Sequence, residues 1–362
     1  MTRDARVTKQ IGWLESAGYR VDVLSRGPEA PGATGRFLRI GYPNLLVRLA
    51  IYVFLSPRAR FHRLVGRRLP ISDLAGHKYD LMVVNDLHLL PWVVEVASDL
   101  SKGPVTLDLH EVYSGTVSGP LFRFLHGRYD SWLLTFVPSP VFTKRLTVAE
   151  GIADYYRDRY GIPRPDVIKN VAPYQELEPS PVDPERIVLV HHGYAATARG
   201  IDVMLDAVLE LEPRFVFVLM VLGNRRSLAP LRRHPAVVAG RVEFRSPVPV
   251  TEVASALNDC DLGVMFLPPR FLNNVYALPN KFFEAVQARL GIVIGESQEM
   301  VGFVRDYGLG IIVTGWEASD LAAAINRLST EEIVAMKTAA SLAASDLSTR
   351  GEGPKFLSHV GA

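Results

Sequence analysis

The sequence predicts an α/β protein with two Rossmann-like, doubly wound domains that face each other across a cleft. Short apolar runs typical of buried strands alternate with helical patterns along the chain, as expected for parallel sheets covered by helices. The alternation restarts after a segment rich in Pro, Glu and Ser that has no apolar periodicity. We therefore expect an N-terminal domain at 1–174, a linker and hinge at 175–185, a C-terminal domain at 186–345 and a tail at 346–362.

Composition limits the class of protein. The chain has 362 residues, of which 48% are hydrophobic and 22% charged, enough for two domains that each bury a core. The single cysteine, Cys260, excludes an internal disulfide and fits a reducing compartment. No apolar run approaches the length of a membrane span, and the first residues lack the apolar core of a signal peptide. We expect a cytoplasmic protein.

The first half contains an amphipathic helix and a series of short strands. The helix is expected at 5–18, where Gly18 would end it. The expected strands lie at 19–24, 79–86, 105–111, 142–148 and 165–173, with further helices after residue 91 and at 149–156. Asp108, His110 and Glu111 stand at the carboxyl end of one strand, where a cleft between domains would need polar side chains.

The second half repeats the plan more regularly. Its expected strands lie at 187–193, 215–222, 241–244, 261–267, 292–294 and 310–313, and its helices at 201–211, 250–257, 319–328 and 330–344. Between the last strands, Pro279 suits the first turn of another helix. The free amides and dipole of that helix start favour an anionic ligand such as phosphate. Lys281 and Glu284 are three residues apart, so both can face one ligand.

The run Pro-Asn-Lys-Phe-Phe-Glu-Ala from Pro279, followed by Gly-Ile-Val-Ile-Gly-Glu-Ser297, is similar to the donor site of retaining glycosyltransferases of GT-B fold, particularly glycosyltransferase family 4. The resemblance implies that Glu284 holds the ribose hydroxyls of a nucleotide-sugar. The family carries a second Glu eight residues earlier, where this chain has Tyr276. The other interpretation of the run is a capped core helix with a chance Lys/Glu pair.

The same resemblance implies further site residues. Gly193 would let the backbone approach the donor, and Arg199 would neutralise the diphosphate, which its planar fork suits. The expected donor-binding residues are Gly193, Arg199, Tyr276, Leu278, Asn280, Lys281 and Glu284. The expected acceptor-side residues are Asn85, Asp86 and His110. The expected catalytic residues are His110, Glu111, Lys281 and Arg199. The alternatives are that Asp86 caps a helix and that His110 bonds within a loop.

The resemblance implies transfer of a sugar, a hexose in the first instance, from a nucleotide-sugar to a hydroxyl acceptor with the anomeric configuration retained. The acceptor would be a polysaccharide, a lipid-linked sugar or another glycoconjugate. No cofactor and no metal ion are expected, and Asp259-Cys-Asp261 is interpreted as a loop end rather than a metal site. The second hypothesis is a catalytically inactive partner of the same fold, favoured by Tyr276, and the third is a nucleotide-sugar epimerase.

The start of the chain differs from the resembling family. There the helix at 5–18 follows a central strand and a Gly-rich turn, and this sequence has neither. A missing central strand would leave an internal gap in the sheet. Either the start of the chain is set too far downstream or another segment fills the gap, and we expect the first.

The segment 36–68 combines many arginines with a run of apolar residues at 45–55. It carries eight arginines, and no acidic residue occurs between Glu29 and Asp73. Such a segment suits contact with anionic lipid at the inner face of a membrane, or with a lipid-pyrophosphate acceptor. The other interpretation is a core helix followed by a solvated arginine-rich turn. Nucleic acid is not expected, because no exposed aromatic run or known motif accompanies the arginines.

Overall fold

The computed structural model describes residues 4–27, 33–41, 43–74, 76–85, 87–113, 120–195 and 200–362, and the side chains of 120–125 lie outside that description. The chain forms two compact units. Unit 1 is Met1–Lys169 with Gly353–Ala362, and unit 2 is Asn170–Glu352.

Unit 1 is built from short parallel strands and the helices that connect them. Its strands are β1 (Val23–Ser25), β2 (Phe37–Arg39), β3 (Met82–Val84), β4 (Val105–Asp108), β5 (Lys144–Thr147) and β6 (Asp166–Val167). Its helices are α1 (Ala5–Ser16), α2 (Leu45–Phe54), α3 (Pro57–Leu64), α4 (Ile71–Leu74), α5 (Leu90–Leu100), α6 (Pro120–Leu134) and α7 (Glu150–Tyr160), with 3₁₀ turns at Gly66–Arg68 and Leu87–Leu89.

The strands of unit 1 form two separate parallel sheets. One sheet pairs β1 with β2, and the other has the order β3-β4-β5-β6. A cavity of about 860 Å³ is lined by residues of β1, β2 and β3 and by one side of α1. β4 is buried throughout, whereas every residue of β1 is half-buried. Strands β1 and β3, which lie on either side of the cavity, are thus less buried than β4, an inner strand of the larger sheet.

A buried ion pair anchors α1 to the larger sheet. Arg6 donates from Nε to Asp108 Oδ2 at 2.5 Å and from Nη1 to the carbonyl of Ile168 at 2.7 Å. Gln10 donates to the same Asp108 oxygen at 2.5 Å. Both charged side chains are almost fully buried. The expectation that Asp108 faces a cleft is therefore wrong, because Arg6 and Gln10 occupy its carboxylate.

Unit 2 contains one continuous parallel sheet. Its strands are β7 (Ile187–Tyr194), β8 (Phe215–Leu222), β9 (Val242–Phe244), β10 (Leu262–Met265), β11 (Gly291–Gly295) and β12 (Gly310–Val313), in the order β12-β11-β10-β7-β8-β9. Its helices are α8 (Ile201–Val208), α9 (Arg225–Arg232), α10 (Pro235–Val238), α11 (Val253–Leu257) after a 3₁₀ turn at Val250–Glu252, α12 (Leu272–Val275), α13 (Asn280–Gln287), α14 (Met300–Tyr307), α15 (Ala318–Asn326) and α16 (Thr330–Ala343). A last helix, α17 (Thr349–Val360), starts in unit 2 and ends in unit 1.

The sequence predicted these strands because they are buried on both faces and read as continuous apolar runs. The bounds expected for β8 and β12 are those observed, and the other strands differ by a few residues. Pro279 is the residue before α13, with extended backbone, rather than a member of its first turn. The segment expected as a strand at 165–173 pairs only over Asp166–Val167.

A second buried ion pair joins α16 to the sheet of unit 2. Lys337 Nζ donates to Asp261 Oδ1 at 2.9 Å, to Ser180 Oγ at 2.8 Å and to the carbonyl of Cys260 at 2.8 Å. The other oxygen of Asp261 accepts the backbone N–H of Val188 at 2.8 Å. Asp261 therefore has a structural role directly before β10.

Cys260 is fully buried beside this pair, and burial raises the pKa of its thiol to about 12. In the described part of the chain, no helix has both the length and the apolar character needed to cross a membrane.

Replacing Lys337 with Met should destabilise the protein by about 3–5 kcal/mol, because Asp261 would keep a buried charge without its partner. The measurement is the free energy of unfolding in urea. Arg327→Met, which removes an exposed cation from the same unit, should change it by less than about 0.5 kcal/mol. The double variant Lys337→Met/Asp261→Asn should recover part of the loss, and no recovery would contradict the assigned ion pair.

Candidate functional site

The strand order of unit 2 creates a switch point between β7 and β10. These neighbouring parallel strands connect onward in opposite directions across the sheet, β7 to β8 on one side and β10 to β11 on the other. The connections therefore diverge beyond the carboxyl ends of the two strands. In open parallel sheets this crevice is where ligands bind.

The N-terminus of α13 lies on the β10 side of this crevice. Pro279 precedes the helix in extended conformation and makes no side-chain hydrogen bond to its first turn. Phe282, Phe283 and Val286 are fully buried and fix the helix against the core of unit 2. The first-turn N–H groups are consequently not capped by a side chain of the residue before the helix, an arrangement that favours an anion.

Lys281 is held at the end of β7 by a histidine. Its Nζ lies 3.1 Å from Nε2 of His191, while Nδ1 of the same ring lies 2.8 Å from the carbonyl oxygen of Val264 in β10. A carbonyl oxygen only accepts, so Nδ1 carries the proton and Nε2 of the neutral ring accepts from the lysine. The histidine thus orients the ammonium without adding a negative charge.

Glu284 is held by the next residue of the same strand. Its Oε2 lies 2.8 Å from Nε2 of His192, and its side chain remains 15% exposed, whereas that of His192 is 7% exposed. The carboxylate is thus fixed in direction from one side while part of it stays accessible.

Gly193 completes this group of side chains. Its φ is +114°, a backbone conformation that other residues rarely adopt. A β carbon placed on Gly193 would lie 3.5 Å from both Cε and Nζ of Lys281. The lysine therefore lies directly beside the bare backbone at the end of β7.

Sequence reasoning missed the two histidines. Strand alternation predicts that the rings of His191 and His192 point to opposite faces, yet both contact side chains of α13. Helix α13 begins beyond the carboxyl ends of the central strands, where side chains from both faces of the sheet can reach it. The signal that was available is a His-His-Gly sequence at the end of the first strand of a doubly wound sheet.

The remaining donor-side residues lie on the same stretch of chain. Tyr276 is half-buried and follows α12, Leu278 is buried, and Asn280 is half-buried as the first residue of α13. Arg199 lies outside the described residues. The structure therefore brings together Gly193, Lys281 and Glu284 of the expected donor set and adds His191 and His192.

The acceptor-side residues belong to unit 1. Asn85, His110 and Glu111 all line its 860 Å³ cavity, and Asp86 lies outside the described residues. Oδ1 of Asn85 and Nδ1 of His110 are buried atoms without a hydrogen-bond partner. Buried polar atoms are normally satisfied, so these two are candidates for contact with a ligand. Among the described residues, Nδ1 of His110 does not make the hydrogen bond within its loop that was the alternative for this residue.

Glu111 is exposed, and only its backbone carbonyl has a defined role. It accepts a hydrogen bond from the hydroxyl of Tyr156 at 2.8 Å. Burial raises the pKa of Tyr156 well above its ordinary value, so this hydroxyl is a neutral donor. The bond fixes the backbone next to His110. Across the described ranges, no three His, Cys, Asp or Glu side chains lie close enough together to hold a metal ion.

A comparison with protein families gives a match within unit 2. Residues 186–331 match the family model of glycosyl transferases group 1. The matched segment contains the whole of strands β7 to β12. It also contains every residue of the candidate site around Lys281. A comparison with the sequences of curated proteins gives no match.

Solved structures resemble the whole chain. HepE from Anabaena, solved in complex with UDP-glucose, is 15% identical with a TM-score of 0.72, and the match covers 100% of this chain and 96% of that one. Sucrose-phosphate synthase from Thermosynechococcus elongatus is also 15% identical with a TM-score of 0.66, covering 97% and 90%. A TarM variant from S. aureus, in complex with UDP and alpha-GlcNAc-glycerol among other ligands, is 12% identical with a TM-score of 0.63, covering 83% and 59%.

At these identities the comparison is evidence of fold. The predicted class, α/β with two Rossmann-like units of the GT-B type, is confirmed. The chain spans 59% of the length of the TarM chain.

Replacing Gly193 with Ala should destabilise the protein by about 1–3 kcal/mol, because its positive φ strains any other residue. The added methyl would also contact Lys281. The measurement is again the free energy of unfolding in urea. The control is Gly302→Ala. Gly302 lies on the exposed side of α14, and no atom lies within 4 Å of the new carbon, so this substitution should raise the free energy of unfolding by about 0.5–1 kcal/mol. Equal effects of the two substitutions would contradict the strained backbone at Gly193.

Proposed function

We propose that this protein is a glycosyltransferase that moves a sugar from a nucleotide-sugar donor to a hydroxyl acceptor, with retention of anomeric configuration and without a metal ion. The observation that carries the proposal is the group formed by Gly193, Lys281 and Glu284. It lies at the switch point of a parallel sheet, inside the segment that matches glycosyl transferases group 1.

In this proposal the donor diphosphate lies against the start of α13. Lys281 and the first-turn amides supply positive charge and hydrogen-bond donors there, and Gly193 has no side chain to keep the phosphates away. Arg199 is proposed as a second cation for the diphosphate. As the bond from the sugar C1 to the phosphate oxygen breaks, its electron pair leaves on that oxygen. These fixed donors then stabilise the negative charge that develops.

Glu284 is proposed to accept hydrogen bonds from the ribose hydroxyls of the donor. A carboxylate can accept from two neighbouring hydroxyls, and the bond from His192 holds it in one direction. Tyr276, Leu278 and Asn280 are proposed to contact the nucleotide and the sugar from the segment before α13. Tyr276 can donate and accept but carries no charge.

The acceptor side is proposed to be formed by Asn85, Asp86, His110 and Glu111. The acceptor oxygen bonds to C1 on the face that the diphosphate leaves, and the hydroxyl proton passes to the phosphate oxygen released from C1. The unpartnered atoms of Asn85 and His110 are suited to orient the acceptor or the transferred sugar. We propose uridine diphosphate sugars as the first donors to test, because HepE was solved with UDP-glucose, and lipid-linked sugars among the first acceptors.

We also propose that the sheets of unit 1 accept one further parallel strand between β1 and β3. The 860 Å³ cavity runs along both strands, and Leu24, Leu81 and Val83 on its walls are half-buried. A strand there would bury these side chains and join the two sheets into one. An added strand would also cover part of the wall near Asn85.

The second candidate is a non-catalytic protein of the same fold, which Tyr276 favours. The two differ in one measurable step, because a binding partner would bind a nucleotide-sugar without releasing the nucleotide. Titration with UDP-glucose by calorimetry, followed by an assay of UDP release with and without acceptors, separates them. Transfer that persists in the presence of a chelator would support metal independence.

Replacing Glu284 with Gln should weaken UDP-glucose binding by about ten- to a hundredfold, because charge-assisted hydrogen bonds to the ribose are lost. Glu331→Gln, an exposed position of α16, is the matched control and should bind as the original protein does. The readout is Kd by calorimetry, with thermal melting to verify folding.

Lys281→Met should instead lower kcat by roughly a hundredfold or more, since it removes charge that acts on the leaving diphosphate. If both site variants bind and turn over like the Glu331→Gln control, the proposed donor site is wrong.

A further inference from the structure

Helix α2 of unit 1 presents an apolar surface to solvent. Phe54 is 80% exposed and Leu46 is 78% exposed. The other large apolar residues exposed on this helix are Leu45, Val47, Leu49 and Val53. With 100° between successive residues, the exposed positions cover an arc of roughly 200°. An ordinary surface helix has its polar side facing outward, whereas α2 has an apolar side facing outward.

The inward side of α2 is already occupied. Ile51 is buried, and the ring of Tyr52 lies 4.1 Å from the ring of His126 and 6.4 Å from that of Tyr129, both in α6. Arg48, the single charged residue of the helix, is half-buried. Among the residues that the structure describes, core packing therefore accounts for the inward side of the helix, and the apolar arc stays exposed.

The exposed apolar arc is followed by exposed positive charge. Arg58, Arg63 and Arg67 are exposed on α3 and on the 3₁₀ turn after it. Two other arginines of the segment serve the fold instead. Arg36 pairs with Asp22 at 2.7 Å, and Arg60 is buried and donates to the carbonyl of Leu55. Asp73, on α4, is the first acidic residue after this basic surface.

We propose that the outward face of α2 inserts into the interface of a membrane that contains anionic phospholipid, with Arg58, Arg63 and Arg67 at the headgroups. Apolar residues on one element and arginines beside it match the two layers of such an interface. At ten residues α2 is about 15 Å long, too short to cross a bilayer core of about 30 Å. The helix therefore lies in the plane of the membrane.

This inference does not depend on the proposed sugar transfer. The exposed arginines favour a phospholipid surface over an apolar protein groove. A phospholipid surface offers acyl chains for the apolar residues of α2 and phosphates for the arginines. A lipid-linked acceptor would then lie in the same surface as unit 1. Binding to vesicles and transfer of sugar are separate measurements, so either can fail alone.

The test is flotation of the full chain with vesicles of phosphatidylcholine, with and without phosphatidylglycerol. The protein without substitutions should float with the anionic vesicles and much less with neutral ones. High salt should weaken its binding to the anionic vesicles. The double variant Leu46→Gln/Phe54→Gln should lower the partition coefficient by at least about tenfold. The triple variant Arg58→Gln/Arg63→Gln/Arg67→Gln should lose the preference for anionic lipid.

The matched control is Val238→Gln/Leu342→Gln, which replaces two apolar side chains of similar fractional exposure in unit 2. Val238 and Leu342 are 76% and 81% exposed, and their replacement should leave vesicle binding unchanged. Melting curves for every variant show whether the fold is kept. Equal flotation of the α2 variant and its control would overturn the proposal. So would an original protein that stays with the unbound fraction, or one that dimerises through α2 instead.

Discussion

The contact between the end of β7 and the first turn of α13 is the constraint on which the candidate site depends. Two consecutive histidines of the strand hold two charged residues of the helix, His191 holding Lys281 and His192 holding Glu284. The parallel sheet makes this contact available, because β7 and β10 are neighbours whose onward connections diverge. The chain thus fixes a cation, a carboxylate and a bare glycine backbone within one small region before any ligand binds.

Fixing these groups in advance would favour the anion binding proposed above. A lysine side chain in water loses rotamer freedom when it binds a ligand, and the hydrogen bond that Lys281 donates to His191 restricts the side chain in advance. Groups that are already oriented need no reorganisation when charge develops beside them. The apolar side of α13, with Phe282 and Phe283 fully buried, supplies the rigidity that holds this arrangement.

Much of unit 2 could be predicted because its strands are buried on both faces and leave continuous apolar runs. The position of Lys281 and Glu284 near the start of a helix was also predictable, because Pro279 precedes them. The histidine contacts were not, because alternation describes a strand in isolation and ignores a helix that begins at its end. Nor could the sequence tell that Asp108 belongs to the core, since its partner Arg6 lies 102 residues away.

The segment that contains α2 shows a different limit of sequence reasoning. Nearly every residue of the helix is apolar, so no periodicity indicates which side faces outward. The packing of Tyr52 against α6 decides the question, and it leaves the apolar arc outside. One side of the helix packs in the fold, as the core-helix interpretation of 36–68 expects, and the other side is exposed. Contact with a membrane is the proposal made above.

The most direct measurement of the central claim is a crystal structure of the full chain with uridine diphosphate. The diphosphate should lie beside Gly193 within hydrogen-bond distance of Lys281 Nζ and the first amides of α13, with the ribose hydroxyls on the carboxylate of Glu284. A nucleotide bound elsewhere, with Lys281 and Glu284 contacting only the two histidines, would contradict the assignment of this site.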